Sequence, residues 1–564
     1  MRILLISLDM DPSSQQGDKH TGAAHLYVKE TLEMLVENNI PTVVVTRLDS
    51  TDKAAIERIG SVTIWRVPIG NVVYTSKEYL WKREKESCNR ILDTLRNEDF
   101  HPDLIHAVYW YSGAAALELE EYYPDVPLIY TIVSLGKVKH GWKGQLDAHD
   151  LAREKTEQRL FEQADLILAV SQQEKANAVR LYNNVRGEKI VVIGRGVDPN
   201  LYTPSLPFLE PIADVGQTRT ARPQLYQPPP QQKVILFIGR LIASKGYVRL
   251  LEFYDELLRD PSINTPPLWI VGGDSGELDI AWTTGLTTDS LRLAHDTGQI
   301  WWWGAVPRSL TAPLYQRALV TCIPSYYEPG ARVILESMAC GTPVIMSPTG
   351  YSDELVYNGF NGFVTDLDDK QSWVSYLKGL IRDRAWRDII AYRAYYSVLP
   401  YYSLHNFKER QLKAIEARYA GNDNRVVERL PDLSRAHSVS PYWEVPPSFD
   451  TQPSPTLPYL EAKVGRLVKQ LAPDFVTPKL IEQDKGNSST SNFLVSADNK
   501  MYWAKLFIDK TRFHNLFWPT PKSQPVRAAS ARDNCERLCW DDRLFLSPIA
   551  HDEEDLSCLF EAGQ

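Results

Sequence analysis

Two carboxylates stand eight positions apart in the stretch Glu328-Pro329-Gly330-Ala331-Arg332-Val333-Ile334-Leu335-Glu336. The pattern predicts a loop and a helix, followed by the turn Gly341-Thr342-Pro343 and a buried strand. An acid at the mouth of that helix and another roughly two turns inside it can face one polar ligand. The spacing suits a ligand with hydroxyl groups at two places, such as a sugar and a ribose. A simpler interpretation makes Glu336 an exposed helix residue and Glu328 a charge that stabilises the helix N-terminus.

The composition is that of an ordinary globular protein with more than one domain. The chain has 564 residues, of which 43% are hydrophobic and 24% charged, and its net charge is -9. This length predicts about two to four domains, and the negative charge argues against a nucleic-acid-binding protein. The six scattered cysteines predict reduced thiols and no zinc site. The first predicted strand begins close to Met1, and no apolar run approaches the roughly 20 residues of a membrane span. We therefore expect a cytoplasmic protein without a signal peptide.

Predicted strands and helices alternate over residues 1–202. The strand candidates are short and β-branched and are apolar on both faces, which is typical of a parallel sheet covered by helices. They are Ile3–Ser7, Thr42–Val45, Val62–Arg66, Leu104–His106, Leu128–Thr131, Leu166–Val170 and Lys189–Ile193. We predict that residues 1–202 form an α/β, Rossmann-like domain.

A second series of the same kind covers residues 233–400, after a Pro-rich linker at 203–232. Its strand candidates are Val234–Ile238, Leu268–Val271, Ile300–Trp303, Val320–Ile323, Val344–Met346 and Gly362–Thr365. Two open α/β sheets joined by a linker leave a cleft. Because open sheets bind ligands at the carboxyl ends of their strands, we expect the chemistry in that cleft.

Two cations follow the first strand of the second series, in Gly239-Arg240-Leu241-Ile242-Ala243-Ser244-Lys245-Gly246. Arg240 offers a forked pair of donors and Lys245 a point charge, so both can bind one diphosphate. The alternative is two solvated surface cations. In the first domain, Gly22 lies in a turn before a helix, where free N–H groups can bind an anion. No acidic triplet for a divalent metal stands out, so we expect no metal and no cofactor, with cations and helix dipoles stabilising the leaving group.

These motifs resemble those of the retaining glycosyltransferases with the GT-B fold, family 4, over about residues 1–420. The resemblance includes Gly-Arg-x4-Lys, the paired glutamates, Gly350, Glu354 and Gly359. The segments Thr21–Glu30, Pro102–His106 and Thr131–Gly136 are similar to the sucrose-synthase and sucrose-phosphate-synthase branch. The resemblance implies transfer of a sugar from a UDP-, GDP- or ADP-sugar to a hydroxyl acceptor, with retention of anomeric configuration and without a metal. The acceptor would be a sugar, a glycan or a small molecule.

The resemblance also implies roles for individual residues. Arg240 and Lys245 would bind the donor diphosphate, Glu336 the ribose and Glu328 the donor sugar. The candidate catalytic residues are accordingly Glu328, Arg240 and Lys245. The remaining candidate donor-binding positions are Gly22, Gly239, Gly330, Ala331 and Arg332. Residues 401–420 would form the helix that crosses back to the first domain.

The sequence departs from the family pattern at two glycine positions. The Gly-Gly of the family is Gly22-Ala23 here, which adds a methyl group close to the diphosphate. Its Glu-Pro-Phe-Gly is Glu328-Pro329-Gly330-Ala331, which moves the glycine by one position.

The most serious departure is Val133, which stands where the branch carries a histidine facing the donor sugar. Val108 likewise stands where a second histidine often follows His106. Because valine cannot donate a hydrogen bond, either the donor is a deoxy sugar or a pentose, or catalysis is weakened. His20, His25 and His140 are candidate replacements, although a lone histidine is more often structural. His20, His25, His106 and Val133 thus make up the predicted acceptor and sugar side.

A Pro-rich stretch at 421–460 precedes a small α+β module at 461–564. Asn492–Val495 and Met501–Phe507 predict a β-hairpin, Ala528–Trp540 a helix, and Leu544–Leu546 a further strand. This order resembles the amino-terminal lobe of phosphotransferase kinases, with Lys505 and Glu536 as its ion pair. Such a lobe would not be a complete kinase. The alternatives are a dimerisation or partner-binding domain, or part of a longer protein.

We predict a glycosyltransferase from these features. Two alternatives stay open at the level of sequence. One is a non-catalytic subunit that binds a sugar nucleotide, and the other is an enzyme that epimerises or hydrolyses a nucleotide sugar without an acceptor.

Overall fold

The computed structural model describes residues 1–13, 23–49, 53–70, 77–141, 145–204, 233–273, 281 and 284–421, together with five short strands between residues 479 and 548. The described residues up to 421 belong to one compact unit, and the five strands belong to another. The first unit holds two sheets, each covered by helices, and every strand pair in them is parallel except the one at the edge of the first sheet. Among the described residues, no helix is long and apolar enough to cross a membrane.

The first sheet has eight strands in the order β3-β4-β2-β1-β5-β6-β7-β8. These are β1 (Ile3–Ile6), β2 (Thr42–Arg47), β3 (Ile56–Ile59), β4 (Val62–Val67), β5 (Leu104–Val108), β6 (Leu128–Thr131), β7 (Leu166–Ala169) and β8 (Ile190–Val192). Its helices are α1 (Ala23–Glu37), α2 (Glu84–Asn97), α3 (Tyr109–Leu119), α4 (Gly136–His140), α5 (Ala148–Gln163) and α6 (Gln172–Leu181). All seven predicted strands are present, and every residue of β1, β2 and β5 is buried. These strands are apolar on both faces because helices cover both.

The edge strand β3 was not predicted. It pairs antiparallel with β4, and none of its residues is buried. Its sequence, Ile-Glu-Arg-Ile, lacks the apolar run that marks the inner strands. An edge strand needs no such run, because solvent satisfies one side of it.

The second sheet has six parallel strands in the order β11-β10-β9-β12-β13-β14. These are β9 (Val234–Ile238), β10 (Leu268–Val271), β11 (Ile300–Gly304), β12 (Ala318–Ile323), β13 (Val344–Met346) and β14 (Phe363–Val364). The helices are α7 (Tyr247–Leu258), α8 (Asp289–Asp296), α9 (Arg308–Arg317), α10 (Arg332–Ala339), α11 (Lys370–Arg382), α12 (Arg384–Tyr402) and α13 (Leu404–Tyr419). Two Rossmann-like sheets in one unit confirm the predicted GT-B architecture.

Helix α13 returns from the second sheet to the first. Gln411 donates a hydrogen bond to the Tyr27 hydroxyl on α1 at 2.9 Å, and Leu404 N–H donates to the Val197 carbonyl at 2.8 Å. A Cβ atom on Gly196 would lie 2.7 Å from the Leu404 Cα. Glycine therefore permits the close approach of the two chain segments at this crossing.

The second unit is a five-stranded antiparallel sheet in the order β15-β16-β17-β19-β18. The strands are β15 (Lys479–Asp484), β16 (Thr490–Ala497), β17 (Lys500–Phe507), β18 (Leu538–Cys539) and β19 (Leu544–Pro548). The predicted hairpin is confirmed as β16 and β17, and β19 covers the further predicted strand. The helix predicted at Ala528–Trp540 is wrong at Leu538–Cys539, which pair with β19. Sheet pairing overrides local helix preference there, and Glu536 lies outside the described residues.

Candidate active site

The paired glutamates lie at the carboxyl end of β12 and on α10. Helix α10 begins after Ala331 and buries Ile334, Leu335 and Met338. Glu328 is 7% exposed and Glu336 is 8% exposed. The interpretation of Glu336 as an exposed helix residue is therefore wrong. Carboxylates are seldom buried unless they have partners, so the contacts of the two glutamates decide what each can do.

Glu328 is held by one cation and one hydroxyl group. The Lys245 ammonium donates to Glu328 Oε1 at 2.5 Å, and the Ser325 hydroxyl donates to the same oxygen at 2.8 Å. Gly350 has φ +58°, and a Cβ atom there would lie 2.9 Å from the Glu328 carbonyl oxygen. A side chain at position 350 would thus push the glutamate loop out of place.

Lys245 is positioned by a tight turn between β9 and α7. Gly246 adopts φ +66°, and a Cβ atom there would lie 1.7 Å from the Pro324 carbonyl oxygen. Glycine is needed at this position both for the backbone conformation and for the contact. The turn consequently packs directly on the loop that carries Glu328, which explains how Lys245 reaches that carboxylate.

The other predicted cation and its glycine lie at the same end of β9. The Gly239 N–H donates to the Val271 carbonyl at 2.9 Å, which holds the strand end in the sheet. Arg240 is exposed and makes no hydrogen bond or ion pair with another described residue. The two cations thus differ, since Lys245 is partly buried and paired while Arg240 is directed to solvent. Gly22 lies outside the described residues.

Glu336 and Arg332 form a network that extends into the first domain. The Tyr315 hydroxyl donates to Glu336 Oε2 at 3.1 Å, and Arg332 Nε lies 3.5 Å from Glu336 Oε1. Arg332 Nη1 donates to both carboxylate oxygens of Glu30 on α1, at 2.7 and 3.0 Å. Burial lowers the pKa of Arg332, but the charges of Glu30 and Glu336 outweigh burial and raise it. Burial raises the pKa of Glu30 in spite of its cationic partner.

Glu30 was missed in the sequence. It follows Leu26, Tyr27 and Val28 within the amphipathic pattern of α1, and a glutamate in such a helix ordinarily faces solvent. Glu33 and Glu37 on the same helix do so, at 38% and 58% exposure. The sequence separates Glu30 from its partner by 302 positions, so no local signal identifies it.

Further contacts connect the segment around Glu328 to the first domain. The Tyr327 hydroxyl donates to Glu174 on α6 at 2.9 Å and accepts from the Leu135 N–H at 3.0 Å. Burial raises the pKa of Glu174 to about 7, although the Tyr327 hydrogen bond opposes this. Ser171 donates to the Pro329 carbonyl at 2.5 Å. The segment around Glu328 is therefore held by hydrogen bonds to both domains.

Glu354, which carries part of the family resemblance, also lies between the domains. It is 6% exposed, and its Oε2 accepts from the Gln172 N–H at 3.2 Å. Its Oε1 makes no hydrogen bond with a described residue. Burial raises the pKa of Glu354 to about 8. The neutral form of this carboxyl group is thus favoured at neutral pH. This fits a structural role for Glu354 and does not fit a contact with a charged ligand group.

His106 lies inside the first sheet and not on its open edge. It is fully buried on β5, and its Nε2 pairs with the Thr131 hydroxyl at 2.8 Å. The same hydroxyl contacts the Tyr27 hydroxyl at 3.0 Å. Burial lowers the pKa of His106 to about 3, so its ring is neutral at neutral pH. The structure therefore gives His106 a packing role between β5, β6 and α1.

The other histidines considered for the sugar side have different surroundings. His25 is 7% exposed, its ring makes no hydrogen bond with a described residue, and burial lowers its pKa. The ring of His140 lies between Asp150 at 2.9 Å and Glu154 at 2.8 Å, which ties α4 to α5. Val133 is partly buried against the core of the first sheet. His20 lies outside the described residues.

Asp147, His149 and Asp150 place potential metal-ligand atoms within 4.8 Å of one another. Sequence inspection missed this group. Asp147 caps α5 by accepting from the Asp150 N–H at 2.9 Å, and Asp150 accepts from the Asp147 N–H at 3.2 Å. This reciprocal capping box explains the proximity of the carboxylates without a metal.

Comparisons with known proteins agree with the architecture. Residues 24–201 match the family Glycosyltransferase Family 4, and residues 219–396 match the family Glycosyl transferases group 1. The chain is a glycosyltransferase with the GT-B fold. The first match contains seven of the eight strands of the first sheet, all except β1, and the second match contains all six strands of the second sheet.

Two curated relatives of this glycosyltransferase are D-inositol 3-phosphate glycosyltransferases. The protein from Corynebacterium glutamicum is 29% identical over 390 residues, which is 68% of this chain and 89% of that protein. The protein from Nocardiopsis dassonvillei is 29% identical over 401 residues, or 70% of this chain and 89% of that protein.

Solved structures share the fold of this glycosyltransferase. Sucrose-phosphate synthase from Thermosynechococcus elongatus has a TM-score of 0.63 at 23% identity, covering 75% of this chain and all of that one. HepE from Anabaena, solved in complex with UDP-glucose, has a TM-score of 0.53 at 17% identity. The match covers 74% of this chain and all of the HepE chain.

Proposed function

We propose that this glycosyltransferase takes its sugar from a nucleoside diphosphate sugar and retains the anomeric configuration. One observation carries the proposal. Arg240 and Lys245 at the end of β9, and Glu328 and Glu336 around the end of β12, lie at the carboxyl edge of one parallel sheet, where open α/β sheets bind ligands. Cations for a diphosphate and carboxylates for hydroxyl groups are the chemistry that a sugar nucleotide requires.

The ion pair between Lys245 and Glu328 suggests how the donor enters. A diphosphate is a stronger partner for Lys245 than one carboxylate, because it carries more charge. When Lys245 turns to the diphosphate, Glu328 Oε1 becomes available to accept from a sugar hydroxyl. Arg240 would add forked donors to the same phosphates, and together the cations would stabilise charge on the leaving group. The donor phosphate would accept the proton of the incoming hydroxyl.

The donor sugar is proposed to be poor in hydroxyl groups near Val133. Val133 is partly buried and packs on the core of the first sheet. Its side chain cannot donate, so a hydroxyl placed against it would lose a hydrogen bond at a cost of about 1–3 kcal/mol. A deoxy sugar or a pentose avoids that cost. A sugar that keeps the hydroxyl group would instead be transferred slowly.

The acceptor is proposed to be a phosphorylated polyol or sugar, to be tested before other hydroxyl compounds. This rests on the two relatives named D-inositol 3-phosphate glycosyltransferase, which align with 68% and 70% of the chain. Glycans and unphosphorylated small molecules are the next acceptors to test.

A thermal-shift screen with UDP-, GDP-, ADP- and TDP-sugars tests the donor class, because a ligand that binds the folded state raises its Tm. Product analysis by NMR then tests the reaction. We expect a new glycoside with the anomeric configuration of the donor. An inverted product would contradict retention. Binding without turnover would favour the non-catalytic subunit, and donor loss without a glycoside would favour an epimerase or hydrolase.

We also propose that residues 461–564 resemble the amino-terminal lobe of a phosphotransferase kinase. The favouring observation is an antiparallel sheet whose first three strands run consecutively, with Lys505 in the middle of the third strand, β17. A lysine on the third strand of such a lobe contacts nucleotide phosphates. Loss of a second nucleotide-binding event in Lys505→Met, measured by calorimetry, would support the proposal, whereas a single event in both proteins would favour a dimerisation or partner-binding role.

A further inference from the structure

A buried ion pair joins the donor helix α10 to helix α1 of the first domain. Arg332 is the first residue of α10, and its Nη1 donates to both oxygens of Glu30 at 2.7 and 3.0 Å. Both side chains are 4% exposed. A charge pair that is this well buried persists only when its geometry is good, because desolvation is costly. The pair is therefore a fixed link across the cleft.

Arg332 also faces the candidate ribose-binding carboxylate. Its Nε lies 3.5 Å from Glu336 Oε1, which is at most a weak hydrogen bond. The Tyr315 hydroxyl uses one acceptor site on Oε2. Because a carboxylate offers about four acceptor sites, Glu336 keeps the capacity to accept from ribose hydroxyl groups. Glu30 takes the stronger hydrogen bonds of Arg332 and so leaves Glu336 available.

One further group of Arg332 is unused by the protein. Its Nη2 is buried and makes no hydrogen bond with any residue that the structure describes. An N–H donor in such a position favours an acceptor brought by a ligand, since leaving it unpaired costs free energy. A ribose oxygen bound beside Glu336 would be an acceptor for the Arg332 Nη2 donor.

We propose that Glu30 and Arg332 are positioning residues that couple the contact between the two domains to recognition of the donor ribose by Glu336. The inference rests on the proposed function, which gives Glu336 a ribose. Without the Glu30 charge, Arg332 would turn onto Glu336 and form a close ion pair with it, as residues four apart on a helix readily do. That pair would take the acceptor sites that the ribose needs. A residue of the first domain would thereby set the affinity for a ligand group bound by the second.

Calorimetry with UDP, GDP and ADP and with dUDP, dGDP and dADP tests the inference, because the two sets differ only in the ribose 2′-hydroxyl. We expect the wild-type protein to prefer the ribonucleotide by about tenfold, the scale of one hydrogen bond to a charged group. In Glu30→Gln the ratio of ribonucleotide to deoxyribonucleotide affinity should fall towards one, because the affinity for the ribonucleotide falls. The matched control is Glu33→Gln on the same helix, which breaks a surface pair with Lys408 and should leave the preference unchanged.

The ratio of the two affinities separates positioning from general destabilisation, since a merely weakened fold would affect both nucleotides alike. An unchanged ratio in Glu30→Gln overturns the inference but leaves the proposed function intact. If that variant fails to fold, Glu30→Gln/Arg332→Gln takes its place, because it leaves no unpaired buried charge. With no arginine left to occupy the acceptor sites of Glu336, the ribose preference should be retained in this double variant, and its loss overturns the inference. A wild-type protein without ribose preference also overturns it. Failure of all six nucleotides to bind would overturn the proposed function as well.

Discussion

Several charged side chains of the candidate site lie against an opposite charge. Lys245 contacts Glu328 at 2.5 Å, and Arg332 contacts Glu30 at 2.7 Å. Pairing of this kind lets charges remain buried until a ligand arrives, because an unpaired buried charge would shift its protonation or unfold the site. Arg240 differs, because its side chain is exposed and is accessible to a diphosphate that arrives from solvent.

Arg240→Ala should weaken nucleoside diphosphate binding by roughly 2–4 kcal/mol, since it removes a charge-assisted contact from a closed complex. Calorimetry with the nucleotide that gives the largest thermal shift measures the change. The control is Arg384→Ala in the same domain, whose guanidinium side chain is 73% exposed and pairs with Asp388. Equal affinities for the Arg240 variant and the wild type would contradict the diphosphate assignment.

Glu354→Gln should stabilise the protein increasingly as pH rises. The pKa of Glu354 is raised from 4.5 to about 8 by burial, so the folded state keeps a proton that the unfolded state loses above about pH 4.5. Wild-type stability from this group therefore falls between about pH 4.5 and pH 8. Glutamine keeps the acceptor for the Gln172 N–H and has no charge to bury.

The difference in unfolding free energy between Glu354→Gln and wild type should grow from near zero at pH 5 to on the order of 1–3 kcal/mol at pH 8. Thermal or urea unfolding at several pH values measures it. Glu416→Gln on α13 is the control, because position 416 is exposed. A constant difference across this range would show that Glu354 ionises like a solvent-exposed carboxyl.

At the scale of elements, the site depends on two turns at the carboxyl ends of strands. The turn after β9 carries Lys245, and the loop after β12 carries Glu328. They touch through Gly246 and Pro324, at a distance that leaves no room for a Cβ atom. The two strands are neighbours in the sheet, so their following loops meet although their sequences are far apart. Neighbouring strands thus bring Lys245 and Glu328 together.

Gly246→Ala should destabilise the protein by about 2–4 kcal/mol, because the added methyl group meets backbone and the residue is left at positive φ. The displaced turn should also carry Lys245 away from Glu328 and weaken nucleotide binding. Gly421→Ala is a close control, since Gly421 has φ +69° but nothing within 4 Å of its would-be Cβ atom. It should cost only about 0.5–1 kcal/mol. Urea unfolding of both variants measures their losses in free energy of unfolding. Equal losses would show that the contact with Pro324 does not matter.

At the scale of the whole molecule, the proposed nucleotide site lies within the unit that contains both Rossmann-like sheets. The five strands beyond residue 478 form a separate unit. Truncation after Gly421 should therefore leave the affinity for nucleoside diphosphates within about twofold of the full chain. Calorimetry on both proteins measures this. Loss of binding by a truncated chain with a cooperative unfolding transition would show that the second unit completes the site.

Activity should survive EDTA, because Arg240, Lys245 and the N-terminus of α10 are expected to stabilise the leaving diphosphate without a divalent ion. Initial rates in excess EDTA and in added Mg²⁺ or Mn²⁺ measure the effect. Substitution of Asp147 by Asn tests the group of Asp147, His149 and Asp150 in the same assay. A strict requirement for added metal would contradict the metal-free mechanism.

The sequence by itself determined the two parallel sheets, because their inner strands are apolar on both faces and are separated by amphipathic helices. It also predicted that Lys245, Glu328 and Glu336 follow such strands, and the structure places each of them in the turn, loop or helix after one. Only the tertiary structure decided that His106 is buried at the centre of the sheet, that Glu354 is buried, and that Glu30 pairs with Arg332. Burial and pairing depend on residues far apart in the chain, here 302 positions for Glu30 and Arg332. A local pattern specifies which face of a helix is buried, but the tertiary structure determines which charged residue lies opposite a given side chain.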